Sequence, residues 1–238
     1  MADTFEVTTS PGLKLSGVLR RYMDLAKYID LLRTESLYFR RADKFSDRFE
    51  GALTPVIRRS IDEAHRDGHT NENSETFYRR ARVGSLVSCW SIGARDNMAL
   101  WKLYGGAATS IAVTTMIERL LTVASTWPDL TYISKVRYIN HFANPDMVIG
   151  HYTDPLEFKH EAYSYERELR ILISRHRGDW ERTPESIHLP IADLNSFVRS
   201  VVVGPEAPDW FYNLIVDITK RYGVNSPVRR STLTNVPI

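Results

Sequence analysis

Two acids and two bases alternate in Tyr165-Glu166-Arg167-Glu168-Leu169-Arg170, which runs straight into Ile171-Leu172-Ile173. In an extended strand, residues i and i+2 share a face. The alternation therefore predicts that Glu166 and Glu168 project together, with Arg167 opposite, beside Leu169. Two carboxylates on a rigid strand can do acid–base work. They can also hold charge against the positive centre that develops when a glycosidic bond breaks. In the cleavage of a nicotinamide glycoside, one acid stabilises the oxocarbenium ion and the other aligns or deprotonates the acceptor. The same residues also suit an exposed strand face whose acids pair with Arg167 and Arg170. Both readings stay open from these residues alone.

Three further groups of residues have chemical potential. Arg20-Arg21-Tyr22 ends a short apolar run, and its two guanidiniums suit a diphosphate or a carboxylate through bidentate hydrogen bonds. Ordinary ion pairs at a strand end are the alternative. Phe45-Ser46-Asp47-Arg48-Phe49-Glu50-Gly51 places acids between and after two aromatics. There the phenylalanines would pin the loop while Asp47 and Glu50 cap or coordinate, although Ser46/Asp47 followed by Glu50 also resembles a capping box. Ser88-Cys89-Trp90-Ser91 and Asp96 to Gly105 bring Trp90, Trp101 and Tyr104, which suit an aromatic wall for stacking a planar ring, or plain core packing. Trp101 and Tyr104 are neighbours on a helix.

Several chemistries lack their signatures. No Gly-rich phosphate loop, HExxH helix or GxSxG elbow occurs, and Gly105-Gly106 alone reads as a turn. His141, His151 and His160 are spaced too widely for ligands on one helix face, so no metal is expected. The single cysteine, Cys89, excludes an internal disulfide and reads as a buried, inert thiol. The 238 residues are 43% hydrophobic and 25% charged, with a formal charge of +2, as in an ordinary globular protein. Bulk charge demands no nucleic-acid partner. No apolar run approaches the roughly 18 residues of a membrane span, and Met1 to Ser10 lacks the pattern of a signal peptide. A cytoplasmic protein is the expectation.

The elements that must position these residues are short. Leu15 to Arg21, Leu37 to Phe39, Val83 to Trp90, Ser110 to Thr114, Leu130 to Tyr138, Glu166 to Ser174, Ser186 to Ile191, Phe197 to Val203 and Pro227 to Arg230 read as strands. Helical spacing marks Met23 to Arg33, a segment opened by Pro55, Glu75 to Arg82, Met98 to Tyr104, Met116 to Val123, a short helix leading into Tyr163, and Trp210 to Tyr222. Asp67 to Ser74 is a surface loop, and His141 to Pro155 is irregular. Regular βαβ spacing is absent. The pattern predicts an α+β fold with a mixed, largely antiparallel sheet and flanking helices. No composition shift divides residues 1–238, which read as a single domain.

Taken in order, these motifs resemble the bacterial family known as domain of unknown function 2971. The resemblance rests on Leu19 to Tyr22, Leu37-Tyr38-Phe39, Phe45 to Gly51, Ser88-Cys89-Trp90-Ser91, Met98 to Trp101, Tyr104-Gly105 and the Tyr-Glu-x-Glu-x-Arg pattern ending at Arg170. It spans about residues 19–173. Family loops often carry Pro where this chain has Arg48. A weaker resemblance, to toxin-type ADP-ribosyltransferases, rests on an early strand ending in Arg, a following helix and a late Glu-x-Glu. Their Ser-Thr-Ser strand is absent here, and Leu37-Tyr38-Phe39 would replace it. This second resemblance implies a split-sheet core that uses NAD as substrate. Arg20 or Arg21 would hold the phosphates, Tyr22 or Tyr38 would stack on nicotinamide, and Trp90 and Trp101 would line the pocket. Glu168 would be catalytic, and Glu166 would orient a protein or nucleic-acid acceptor. A phage-defence or toxin role with a partner protein goes with it. Two alternatives remain: a non-catalytic module recognising a nucleotide or peptide, and a metal-dependent phosphodiesterase or nuclease ligated by Asp47, Glu50 and Glu168.

Overall fold

The computed structural model describes residues 6–47, 49–143 and 146–235. Arg48, where the family loops differ, lies outside the described residues. In chain order the elements begin with β1 (Val7–Thr9), β2 (Val18–Met23), α1 (Leu25–Thr34), β3 (Ser36–Arg41), α2 (Pro55–Arg66), α3 (Ser74–Val83) and β4 (Ser85–Ile92). Next come α4 (Met98–Leu103), β5 (Ile111–Met116), α5 (Ile117–Ala124), β6 (Thr131–Lys135), β7 (Arg137–Ile139) and β8 (Phe158–His160). The chain continues through β9 (Glu168–Ser174), β10 (Ser186–Pro190), α6 (Leu194–Phe197), β11 (Ser200–Val203), α7 (Asp209–Arg221) and β12 (Val228–Arg230). The fold is α+β with a mixed, largely antiparallel sheet and flanking helices.

The chain divides into two compact units, each built from three segments. The first comprises Met1–Ser10, Phe39–Ser88 and Pro128–Ile187. In it β6 pairs parallel with β1 and antiparallel with β9, with Ile133 opposite Ile171. Every residue of β9 from Glu168 to Ile173 is buried, so its two faces are both covered, as in a central strand. Period-two alternation puts Glu168, Arg170 and Leu172 on one face and Leu169, Ile171 and Ile173 on the other.

Leu130 to Tyr138, expected as one strand, is two. The buried Val136 donates its N–H to the Glu168 carbonyl, which ends β6, and β7 then pairs parallel with β8. Apolar alternation carries no information about which partner a strand chooses. Thr54 caps α2 by accepting from the Ile57 N–H, Pro55 opens the helix, and none of its residues is buried.

The second unit comprises Pro11–Tyr38, Cys89–Trp127 and His188–Ile238. Here β2 and β5 run antiparallel from Val18 opposite Met116 to Met23 opposite Ile111. β5 pairs antiparallel with β11, which takes β12 in parallel. The far end of β4 adds to β2, with Leu19 opposite Ile92. Alternation along β2 sends Arg20 and Tyr22 to one face and Arg21 to the other. Asp24 starts α1 by accepting from the Lys27 N–H at 2.8 Å. The Tyr28 hydroxyl of α1 shares a 2.7 Å hydrogen bond with that of Thr219 in α7. The segment expected as a strand from Phe197 is shorter, because Asp193 caps the brief helix α6 first.

Candidate functional site

In the first unit, five ionisable side chains meet at the start of β9. The Arg170 guanidinium, 1% exposed, is the centre. Its Nη1 and Nη2 both donate to the Glu50 carboxylate, the Nη2 bond being 3.0 Å. Its Nε donates to Glu168 Oε1 at 3.0 Å, Nη2 reaches Glu168 Oε2 at 3.3 Å, and Nη1 also donates to the Leu156 carbonyl at 2.7 Å. Glu168 and Arg170 meet because both stand on one face of β9. The Lys159 ammonium, from β8, bridges the acid pair, donating to Glu166 Oε2 at 2.6 Å and to Glu168 Oε2 at 3.2 Å. It also lies 4.8 Å from the centre of the Tyr163 ring. The Glu168 N–H donates to the Tyr138 hydroxyl at 2.8 Å.

Electrostatics follows from burial. Loss of water pushes the Glu166 carboxyl above the usual range, and Lys159 opposes that shift. Glu50 is likewise raised by burial, with Arg170 opposing. Burial would lower Lys159, but Glu168 and Glu166 outweigh it and hold the ammonium above its ordinary value. Burial takes the Tyr138 hydroxyl up to about 12, so it remains protonated around neutrality.

The two acids converge as expected, but by another route. Glu166 is not in the strand. It ends a 3-10 turn over Glu161–Glu166, and Arg167 then takes the left-handed conformation at φ 46° before β9 begins at Glu168. The turn, together with Lys159, brings the carboxylates together. The exposed-face reading is corrected: Glu166, Glu168 and Arg170 are all buried. Arg167 alone of the run's charged residues is exposed.

Phe49 to Gly51 form a turn, and none of the described residues from Phe45 to Gly51 opens a helix. Asp47 Oδ1 accepts from the Phe49 N–H at 2.9 Å, an Asx turn. Gly51 sits at φ 67°, where a Cβ would meet Leu156 and Arg82 side chains at 3.2 and 3.3 Å. Glu50 does not cap: its carboxylate accepts from Arg170. The Arg170 guanidinium therefore bonds to both Glu50 and Glu168, two of the three acids of the metal-dependent alternative, and no group of three His, Cys, Asp or Glu suited to a metal occurs among the described residues. Phe49 packs against His141 and His160 at ring distances of 5.6 and 5.1 Å.

The second unit holds the other residues singled out from the sequence. Arg20 is 6% exposed, pairs with Asp96 and donates to the Ala94 carbonyl at 2.8 Å. Asp96 in turn accepts from Ser231 Oγ at 2.6 Å and Thr232 N at 2.9 Å, so Arg20 anchors two loops. Tyr22 stands edge-on to Trp101 at 4.8 Å and accepts from the Asn97 N–H. Trp90 packs edge-on to Phe197 at 5.9 Å. Trp90, Trp101 and Tyr22 are all buried, while Tyr38 and Tyr104 are 37% and 42% exposed. Arg21 donates to the Tyr38 carbonyl at 3.1 Å and lies 5.8 Å from the Trp90 ring centre. Burial holds its guanidinium below the ordinary value, against the pull of Cys89, Tyr38 and Tyr104.

No family model matches the chain. None of the curated proteins is similar to it in sequence. Among solved structures, it aligns with Thermus sp. 2.9 DarT in complex with carba-NAD+ at 10% identity and a TM-score of 0.42, over 93% of this chain and 98% of that one. It aligns with the same protein in complex with ADP-ribosylated single-stranded DNA at 8% identity and a TM-score of 0.43, over 92% of this chain and 95% of that one.

Lys159 and Tyr138 are the residues that sequence reasoning missed. Lys159 has a faint signal, a lone lysine between Phe158 and His160 just ahead of the acid pair. Tyr138 has none beyond its place in a strand. Among the described residues, no helix is long and apolar enough to cross a membrane.

Proposed function

We propose that the chain is an NAD-consuming, ADP-ribosyl-transferring enzyme in which Glu168 is the catalytic glutamate. The observation that carries this reading is the convergence of two buried carboxylates, Glu166 and Glu168, on Lys159, with Glu168 also gripped by Arg170. A carboxylate fixed in this way needs no reorganisation as positive charge develops beside it. In the reaction, the bond between nicotinamide nitrogen and ribose C1′ breaks, and nicotinamide leaves with its electron pair. Glu168 stabilises the oxocarbenium ion. The acceptor's oxygen or nitrogen then bonds to C1′ and gives its proton to Glu166, whose raised affinity for protons suits a base. Arg21, which donates to the Tyr38 carbonyl, is assigned to NAD phosphates, and the exposed Tyr38 ring to nicotinamide. A bacterial toxin or phage-defence setting accompanies the proposal.

The test measures nicotinamide released from NAD in the presence of protein and nucleic-acid acceptors. Glu168→Gln, which keeps the side chain's shape, is expected to lower release at least ~100-fold with NAD affinity retained. Arg21→Ala is expected to weaken NAD affinity. Unchanged release in Glu168→Gln overturns the assignment. Unchanged biological function in that variant favours the non-catalytic recognition module instead.

A further inference from the structure

The first unit also contains a cleft of about 610 Å³, a size typical of small-ligand pockets. One wall is α2, where Arg58, Asp62 and Arg66 recur at four-residue intervals with Arg59 alongside. None of the three guanidiniums has an ion pair or hydrogen bond among the described residues. Asp62 is already committed, its carboxylate accepting from Ser74 N at 2.8 Å and Ser74 Oγ at 3.0 Å. The wall therefore presents an excess of positive charge. The other wall is aromatic: Phe49 meets Phe142 edge-on at 5.9 Å, and Phe142 is 73% exposed.

The decisive residue is His141. It lines the cleft, is 2% exposed, and neither ring nitrogen has a hydrogen-bond partner among the described residues. Buried polar groups are rarely left unpaired, and such a group at a cleft wall points to a ligand that supplies the partner. A neutral imidazole offers one donor and one acceptor, the pairing that the edge of a nucleobase returns. Aromatic rings beside it suit the base's face, and unpaired guanidiniums suit its phosphate.

We propose that this cleft binds a nucleoside phosphate, either free or as a unit of single-stranded nucleic acid. The proposal does not rest on the NAD reading, whose own readout is nicotinamide release. Fluorescence anisotropy with labelled AMP and with a labelled mixed-sequence 12-nucleotide DNA strand tests it, at low and high salt. Arg58→Glu/Arg59→Glu and Phe142→Ala alter exposed side chains, and circular dichroism checks that the variants fold. Each is expected to weaken binding roughly tenfold or more, with salt weakening the wild type as well. AMP binding that rivals the strand identifies a free nucleotide, and strand binding alone identifies nucleic acid. The proposal is overturned if neither ligand binds or if both variants bind as the wild type does. It is equally overturned if inorganic polyphosphate competes as well as AMP while Phe142→Ala changes nothing.

Discussion

Arg170 is the residue on which the acid cluster depends. Its guanidinium serves Glu50 and Glu168 at once and is almost wholly buried. Removing one member of a buried ion pair typically costs about 3–5 kcal/mol, because the opposite charge stays out of water. Arg170→Met is expected to lose about that much in urea unfolding. Adding Glu50→Gln to it should recover part of the loss. A loss below ~1 kcal/mol would mean that the cluster does not hold this region together. The sequence made part of this arrangement legible. Glu168 and Arg170 share a face because strand alternation is rigid geometry. Glu166 joins them only through a left-handed Arg167, a conformation that Gly or Asn would have advertised and Arg does not. Glu50 is 120 residues from Arg170 in the chain, and no local pattern reports a partner so distant.

Elements meet around His176, which follows β9. Its Nε2 pairs with the Ser85 hydroxyl at the start of β4 at 3.0 Å, and its ring lies 5.0 Å from that of Tyr152. A Cβ on Gly84 would come within 2.2 Å of Nδ1, so the glycine makes room for the ring. Burial, helped by Arg80, holds the imidazole's pKa down to about 4. The unfolded chain takes up this proton near pH 6.5 and the folded chain only near 4. The stabilising contribution is therefore complete above about 6.5 and is lost as pH falls toward 4. Between pH 7 and 5, the wild type should lose about 2 kcal/mol more stability than His176→Gln, measured by denaturant unfolding at each pH. Equal pH slopes would show that the imidazole titrates normally. At this scale the sequence was most readable where capping and period agreed, as in α1 and α2, and in α7, where the period alone ran over thirteen residues. It was least readable for β7, β8 and α6, which run to three or four residues each. Elements that short exist because of their tertiary partners, so periodicity has too few residues to act on.

Across the whole molecule, the α+β class followed from many short strands without βαβ spacing. The two compact units left no trace in composition because each is assembled from three separated segments, so no linker exists to be read. Ligand binding gives a readout at the same scale. A ligand at 100 times its Kd stabilises the folded state by about 2.7 kcal/mol. In a chain of this length, each kcal/mol raises Tm by about 2–4 °C. Saturating NAD is therefore expected to raise the melting temperature by about 5–10 °C, and Arg21→Ala should abolish most of the rise at the same NAD concentration. Magnesium and manganese test the competing chemistry. The Arg170 guanidinium already neutralises Glu50 and Glu168, the carboxylates that a phosphodiesterase reading would give to a divalent ion. Millimolar metal, or its removal by EDTA, should leave Tm unchanged. A metal-dependent rise without an NAD-dependent one would reverse the assignment, because a cation could then enter only by displacing the guanidinium from between the acids.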